Sequence, residues 1–397
     1  PNDYVYLDYA ATAPLCEEAA EAMAPYQVPG RANLAVGGNA NSLHGPGRAA
    51  FAALEEARRS IARDLGARRP DGIVFTSGAT EADDAALLGI AQAAADERRR
   101  RGAGDFVPHV VVTAVEHDAV LAPAKRLESQ GFRVTRLAPN RQGFIEERAL
   151  EAALDADTVL VSVQAANSEV GSIQPIADLA RVAHDHAALF HTDAVQALGK
   201  ARVNLQELDV DAASFSAHKV GGPKGVGALY LRARTPFHAY AIGGGQEGGR
   251  RSGTQNVAGI VGFAAAVHAA TAMQEAEAAR LRVLRDRLYE RLGAIDAVEA
   301  TVDVVPGSED FLPNIVHVLV DGLESETLIL RFDMQGFGVS GGSACSSHSL
   351  EPSHVLRSLG IDADRAHGAL RISMGRYTDE ADVEAFAVAM EKSLNWN

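Results

Sequence analysis

The chemistry-bearing residue with the most informative surroundings is Lys219, in "SFSAHKVGGPKG" (214–225). It follows a short β-type run, has Ser216 and His218 as polar neighbours, and is followed by Gly221 and Gly222, which let the chain turn tightly. A lysine confined in a polar loop is a candidate for a lowered pKa and for imine formation with a carbonyl compound. The glycine and lysine spacing does not fit a P-loop. A glycine-rich turn with two solvated lysines is compatible with the same letters, and Lys200 in "ALGK" supplies a second amine. Asp193 directly follows the apolar run "AALFHT". An acid at the end of a buried strand is costly unless a cation faces it. A protonated pyridine nitrogen is such a cation, and Gln196 is spaced to reach a substituent of the same ring.

Other candidates flank these two. In "FTSGATEADD", Ser77 and Gly78 lead into a helix whose first N–H groups, with the Thr80 hydroxyl, would cradle a phosphate; an ordinary N-cap with an acidic first turn has the same pattern. His117 in "EHDAV" stands between a strand and a helix, as a catalytic, capping or core imidazole, and Asn167 in "QAANSEVG" is a neutral donor at the sheet's edge. The loop "GGGQEGGRRSGTQN" (243–256), with two arginines and Thr254, is able to reach an anion in its own chain or across a dimer interface, or to lie on the surface. Cys345, one of two cysteines, stands in "SGGSACSSHSLEPS" (340–353), where glycines and serines predict an exposed arm rather than a core position. His348 is close enough to tune that thiol or simply to face solvent. "HDH" at 184–186 falls in a predicted helix with side chains pointing apart, and there is no HExxH, so no metal is expected.

These residues need a scaffold that brings them together. Short β-branched runs alternate with alanine-rich helical patterns: "IVFT" (73–76), "HVVVTAV" (109–115), "FRVTRL" (132–137), "TVLVSV" (158–163), "AALFHT" (187–192), "AASFS" (212–216) and "GALYLR" (227–232). This grammar predicts an α/β fold with one seven-stranded, mostly parallel sheet covered by helices. Ligands of such sheets collect beyond the carboxyl ends of the strands, which is where the candidates fall. From about Asn256 a long helical pattern leaves this unit, and "NIVHVLVDG", a helix near "SETLILRF", "ALRISMG" and a last helix from Asp379 predict a smaller α+β part. The expected division is a large domain over 15–260 and a small C-terminal domain over 261–397, joined by 1–14 and carrying the cysteine loop.

The bulk properties narrow the function. A formal charge of −15 disfavours a nucleic-acid or anionic-membrane surface. The basic run "ERRRRGAG" (97–104) reads as the solvated end of a helix, favourable to its dipole. Two cysteines make no disulfide framework and no zinc site of cysteine pairs. Without a basic segment followed by an apolar one near residue 1, or eighteen uninterrupted apolar residues, a cytoplasmic location is expected. Taken together, a phosphate cradle, a stacking imidazole, an acid for a pyridine nitrogen and an imine-forming lysine, in that order on one sheet, are what pyridoxal 5'-phosphate requires.

The sequence also resembles the cysteine desulfurases of the NifS and IscS kind, within the class V aminotransferases. The likeness runs through "YLDYAATAP", "GNANSLHGPGR", "FTSGATEADD", "EHDAVL", "NSEVG", "HTDAVQALGK", "SFSAHKVGGPKG", "RRSGTQN", "GSACSSHSLEPSHVL" and "LRISMGR". It implies the type I fold of pyridoxal-phosphate enzymes and the conversion of L-cysteine to L-alanine, with sulfur left on Cys345 as a persulfide. Lys219 would hold the cofactor and move the substrate proton, Asp193 would face the ring nitrogen, His117 would stack and relay protons, and Gln196 would bond the phenolic oxygen. Ala79, Thr80, Ser216 and His218 would bind the phosphate with Thr254 of the neighbour in a homodimer, and Asn167 and Arg371 would hold the substrate carboxylate. The implied partner is a sulfur-acceptor protein, such as an iron–sulfur scaffold. Selenocysteine lyase or aminotransferase activity on the same fold, and a non-catalytic assembly scaffold, are the alternatives. "GNANSLH" and Ser168 depart from the commoner family letters.

Overall fold

In chain order the first strands are β1 (Val5–Tyr6), β2 (Ile73–Thr76), β3 (His109–Thr113), β4 (Arg133–Leu137), β5 (Thr158–Ser162), β6 (Leu189–Asp193), β7 (Ala212–Ser216) and β8 (Gly227–Leu231). The last four are β9 (Val298–Ala300), β10 (Ile315–Val320), β11 (Phe337–Gly338) and β12 (Ala369–Ser373). This computed structural model describes residues 4–102, 105–341 and 352–395; Cys345 and His348 lie outside the described residues.

β2 to β8 form the expected seven-stranded sheet, in the order β2-β8-β7-β6-β5-β3-β4. β8 runs antiparallel to both neighbours, and every other pair is parallel. Thr76, Thr113, Ser162, Asp193 and Ser216 therefore end their strands along one edge. β3, β5 and β7 are buried along their whole length between covering helices, whereas β4, at the sheet's margin, is partly exposed and presents Arg133 and Arg136 to solvent. β6 begins at Leu189, later than the apolar run, because Ala187 turns the chain with a φ of 58°. β3 stops at Thr113, whose hydroxyl donates to the Glu116 carboxylate 2.7 Å away as the chain bends.

One side chain of the basic run departs from the solvated reading. Arg98 donates to the carbonyls of Ala156, Thr158 and Ala187 at 2.6, 2.7 and 3.0 Å. It staples the end of helix Ala79–Arg100 to the starts of β5 and β6, because three carbonyls left free at that edge match one guanidinium fork.

Helix Val257–Gly293 begins at an Asn256 cap, whose side chain accepts from the Gly259 N–H at 3.0 Å. Its length and composition would suit a membrane span, yet its apolar residues fill two separate cores. Ile260, Phe263 and Val267 pack with Phe190 and Phe215 of the large sheet, whereas Leu281, Leu284 and Leu288 pack with Leu370, Ile372 and Phe386. Each fully buried side chain of this size stabilises the fold by about 1.5–3 kcal/mol relative to exposure. These two cores are the ground for a two-domain division, and the changeover lies between Val267 and Leu281 within one helix. The second core sits on the antiparallel sheet β9-β10-β12, while β1 pairs in parallel with β11. Asp8 bridges to Ser373, so the N-terminal segment lies along the small unit before Ala10 and Ala11 cross to the large one.

Candidate active site

At the carboxyl edge of the large sheet lies a cavity of about 450 Å³, walled by the turns after β2, β3, β5, β6 and β7, by the N-terminal segment and by Arg371 of β12. Lys219 closes the short 3-10 turn Ala217–Lys219 at the end of β7. Its Nζ donates to the carbonyls of Ala10 and Ala11 at 2.6 and 2.8 Å. Gly221, with a φ of +82°, lets the chain turn here, and a Cβ in its place would stand 3.1 Å from Cys16 Cβ. Lys200 does not wall this cavity. It borders a smaller one that also touches Lys219, donates to the Lys219 carbonyl at 3.3 Å, and has its amine pushed down to about 7, by burial first and then by the charge of Lys219.

Asp193 ends β6 with 9% exposure, and one of its carboxylate oxygens accepts the Val195 N–H at 2.9 Å. Burial raises its pKa, opposed by that N–H and by the charges of His117 and Lys219. Gln196 also walls the cavity: Nε2 donates to the Ala10 carbonyl at 3.0 Å, while its buried Oε1 has no partner among the described residues. His117 caps helix Asp118–Ser129, its Nδ1 accepting the Ala119 N–H at 3.0 Å, so a neutral ring carries its proton on Nε2.

The phosphate cradle forms where β2 turns into helix Ala79–Arg100. Glu81 accepts the Ser77 N–H at 2.7 Å and pairs with Arg251 at 2.7 and 3.1 Å, which fixes the turn from outside. Gly227 lets β8 approach it: a Cβ there would lie 2.6 Å from the Gly78 carbonyl carbon. Ala79, Thr80, Ser216 and His218 all wall the cavity. The His218 imidazole is held by Thr12 at 3.1 Å and pushed down to about 4 by burial and the lysines around it. A neutral His218 can donate to an anion without adding charge.

Arg371 is 2% exposed; it donates from Nη1 to the Ser168 carbonyl and from Nη2 to Asp8, both at 2.9 Å, and its buried Nε has no partner among the described residues. Asn167 is not brought to the cavity wall. Its Oδ1 accepts the N–H groups of Glu169 and Val170 at 2.9 Å, shaping the turn that presents Ser168 instead. Thr254 is exposed and does not wall this chain's cavity. The two described ends of the segment holding Cys345 are anchored at the rim: Ser340 pairs with the Arg371 backbone, and the His354 imidazole contacts the Glu116 carbonyl at 2.9 Å.

Two acids were not anticipated. Asp83, 1% exposed, walls the cavity from the first turns of its helix, its Oδ1 without a hydrogen-bond partner among the described residues and 3.6 Å from the buried His191 ring. Burial, then the charge of Asp193, raises its pKa well above the usual range. Glu116 is fully buried and pushed up to about 8, chiefly by burial. The doubled acid in "EADD" was the available signal, since Asp83 falls on the same helical stripe as the apolar Ala79, Ala86 and Ile90.

Pyridoxal phosphate fits this cavity on its own terms. An uncompensated buried acid, an unmet amide end, a backbone cradle for an anion and an amine border one space of suitable size. Residues 5–386 match the family model described as aminotransferase class-V. The chain is 42% identical over 390 residues to the cysteine desulfurase IscS of Dictyoglomus turgidum, covering 98% of this chain and 94% of that one. Among solved structures, a NifS-like protein superposes with a TM-score of 0.88 at 36% identity, over 99% of this chain and 100% of that one. A structure of SspA in complex with cysteine superposes with a TM-score of 0.77 at 32% identity, over 94% and 100%.

Proposed function

Because the chain belongs to the class V aminotransferases and resembles their cysteine desulfurases throughout, we propose that it is a pyridoxal-phosphate-dependent enzyme that takes sulfur from L-cysteine, releases L-alanine and passes the sulfur onward through Cys345. The observation that carries the reading is that Lys219 and Asp193, at the ends of adjacent strands, open into one cavity with His117 and the cradle at Gly78–Thr80.

When bound, pyridoxal phosphate supplies an electron sink that acidifies the α-hydrogen of an amino acid. The chain's own residues do the rest. The Ala10 and Ala11 carbonyls hold the Lys219 ammonium at the cavity wall, and on releasing it they free an amine to link the cofactor and then to carry the α-proton. Asp193 offers a carboxylate to the ring nitrogen, with its burial cost offset only when a cation faces it. The Arg371 guanidinium, with Nε unmet among the described residues and Nη2 on Asp8, is the cation for the substrate carboxylate. His117 has Nε2 available to relay a proton to or from the substrate. The Cys345 thiolate attacks the substrate sulfur, the carbon–sulfur bond breaks, and L-cysteine plus the thiol become L-alanine plus a Cys345 persulfide, so no external oxidant is needed. A thiol that must stay reduced between turnovers favours a cytoplasmic setting.

Incubation with L-cysteine is expected to add one sulfur atom to the peptide containing Cys345 and to release alanine, as read by mass spectrometry. Cys345→Ser should abolish both while retaining bound cofactor; alanine formation at the wild-type rate by that variant would refute the proposal. The reading extends to a homodimer, in which the exposed Thr254 serves the partner's phosphate. Its loop is pinned for such a task by Glu247, which pairs with Arg58 at 2.6 and 3.0 Å and accepts the Phe75 N–H at 3.0 Å. Sedimentation should give a dimer at assay concentrations, and a fully active monomer would overturn this part. The sulfur acceptor is a protein that takes the persulfide sulfur from Cys345.

A further inference from the structure

The end of the large sheet opposite the active site carries a feature that desulfuration does not use. Where β2 begins and β8 ends, a cleft of about 820 Å³ is bordered by Arg68, Arg69, Arg232, Arg234 and Arg250, against only Asp71 and Asp209 of opposite sign. This is a concentration of positive charge on a chain whose formal charge is −15. Two of the five are neutralised: Arg69 pairs with Asp71 at 2.6 Å and Arg232 with Asp209 at 2.7 Å. Arg68 and Arg234 are exposed, with no hydrogen bond or ion pair among the described residues. Arg250 is half-buried and touches only carbonyls, those of Glu247 at 3.3 Å and Asp71 at 2.5 Å. Like charges bordering one hollow repel one another, and a protein with ample surface has no need to keep two guanidiniums without an ion pair there beside a third that is held by carbonyls.

Guanidinium forks match the paired oxygens of phosphate groups. The remaining wall is apolar, with Leu205, Leu231 and Phe237 beside the Tyr230 ring, and the hollow has the size of pockets that take nucleotide-sized molecules. Arg234 adopts a left-handed φ of 74°, a costly conformation for a residue with a Cβ, at the turn that presents it to the cleft. We infer that this cleft binds a small organic polyphosphate of the nucleoside di- or triphosphate class, with Arg68, Arg234 and Arg250 on the phosphates and the apolar wall on the remainder. The position suits an effector site. Arg250 reaches the cleft while the adjacent Arg251 pairs with Glu81, which holds the Ser77 N–H of the cofactor cradle. One loop thus touches both places.

The test uses the full-length protein loaded with pyridoxal phosphate, so that its cradle is filled and does not compete. Calorimetric titration at low salt with ADP is expected to show one molecule bound per chain, displaced by inorganic tripolyphosphate and weakened by added salt. Arg68→Glu combined with Arg234→Glu should weaken ADP binding at least tenfold, whereas Arg99→Glu with Arg100→Glu, in the basic helix end, should leave it unchanged. All four side chains are solvent-facing, so the folded state is expected to survive, as circular dichroism would verify. Absence of ADP binding by the wild type, equal binding by the Arg68/Arg234 variant, or an equal loss in the Arg99/Arg100 variant would each overturn the inference. None of these readouts depends on turnover of L-cysteine.

Discussion

Lys219→Ala is expected to lower kcat/KM for alanine release from L-cysteine by at least about 10³-fold, and to abolish the visible absorption of a protein-linked imine. The magnitude follows from two functions lost in one substitution, the amine that links the cofactor and the base that moves the α-proton. The surroundings isolate the cause. Nζ donates to the Ala10 and Ala11 carbonyls, and the Gly78–Thr80 cradle, Asp193 and Gln196 remain in the Lys219→Ala variant to retain the cofactor. Equilibrium dialysis should therefore find cofactor still bound, and a small primary amine added to the buffer should restore part of the rate. The neighbouring Lys200 is the informative control. Its amine, pushed down to about 7 by burial and the charge of Lys219, is available unprotonated near neutral pH, but it borders the other cavity. Should Lys200→Ala lose the imine band while Lys219→Ala keeps it, the assignment of the reactive amine would have to be reversed.

Much of this arrangement was legible in the sequence because its physics is local. A fully buried strand between helices must be an apolar run, and a turn at its carboxyl end must carry small or polar residues, so "SFSAHK", "HTD" and "FTSGAT" mark Lys219, Asp193 and the cradle as strand-end residues. What stayed hidden depends on partners remote in the chain. No local pattern says that Arg98 will find three carbonyls from two segments, or that the N-terminal strand will pair with Phe337–Gly338 and deliver Ala10 and Ala11 to a lysine over two hundred residues away. Asn167 shows how a turn takes up one end of a side chain: Oδ1 accepts the backbone N–H groups two and three residues on, while Nδ2, the donor end, points to the Val115 carbonyl at 3.3 Å. The boundary between the two cores was blurred for a related reason: one helix with a continuous apolar pattern serves both, and periodicity cannot say which core each turn faces. Asp83 escaped notice because an acid near a helix N-terminus is ordinary, and only the packed sheet reveals that it is buried beside Asp193.

The same buried acids make stability depend on pH in a direction opposite to that of most carboxylates, and Glu116 gives the clearest expectation. Oε1 accepts from the Thr113 hydroxyl at 2.7 Å and the Gln164 N–H at 2.9 Å, while Oε2 is buried with no partner among the described residues. Burial, with repulsion from Asp193 as a smaller contribution, outweighs those two donors and holds the folded-state pKa at about 8, against 4.5 as the ordinary value. The folded state therefore keeps a proton that the unfolded chain releases. The stability contributed by Glu116 is fully present below about pH 4.5 and is lost as pH rises toward 8, a decline on the order of 4 kcal/mol. Glu116→Gln keeps an acceptor at Oε1 and cannot ionise, so it escapes that decline. Near pH 5 the variant should be no more stable than the wild type, and near pH 8 it should be the more stable by a few kcal/mol, read as a rise in its denaturation midpoint relative to wild type. Asp83 and Asp193 titrate in both proteins and cancel to first order in the comparison, provided both are measured with pyridoxal phosphate bound. An offset between the two proteins that stays constant from pH 5 to pH 8 would mean that Glu116 ionises in the fold as readily as in the unfolded chain, and that its buried Oε2 is solvated by water.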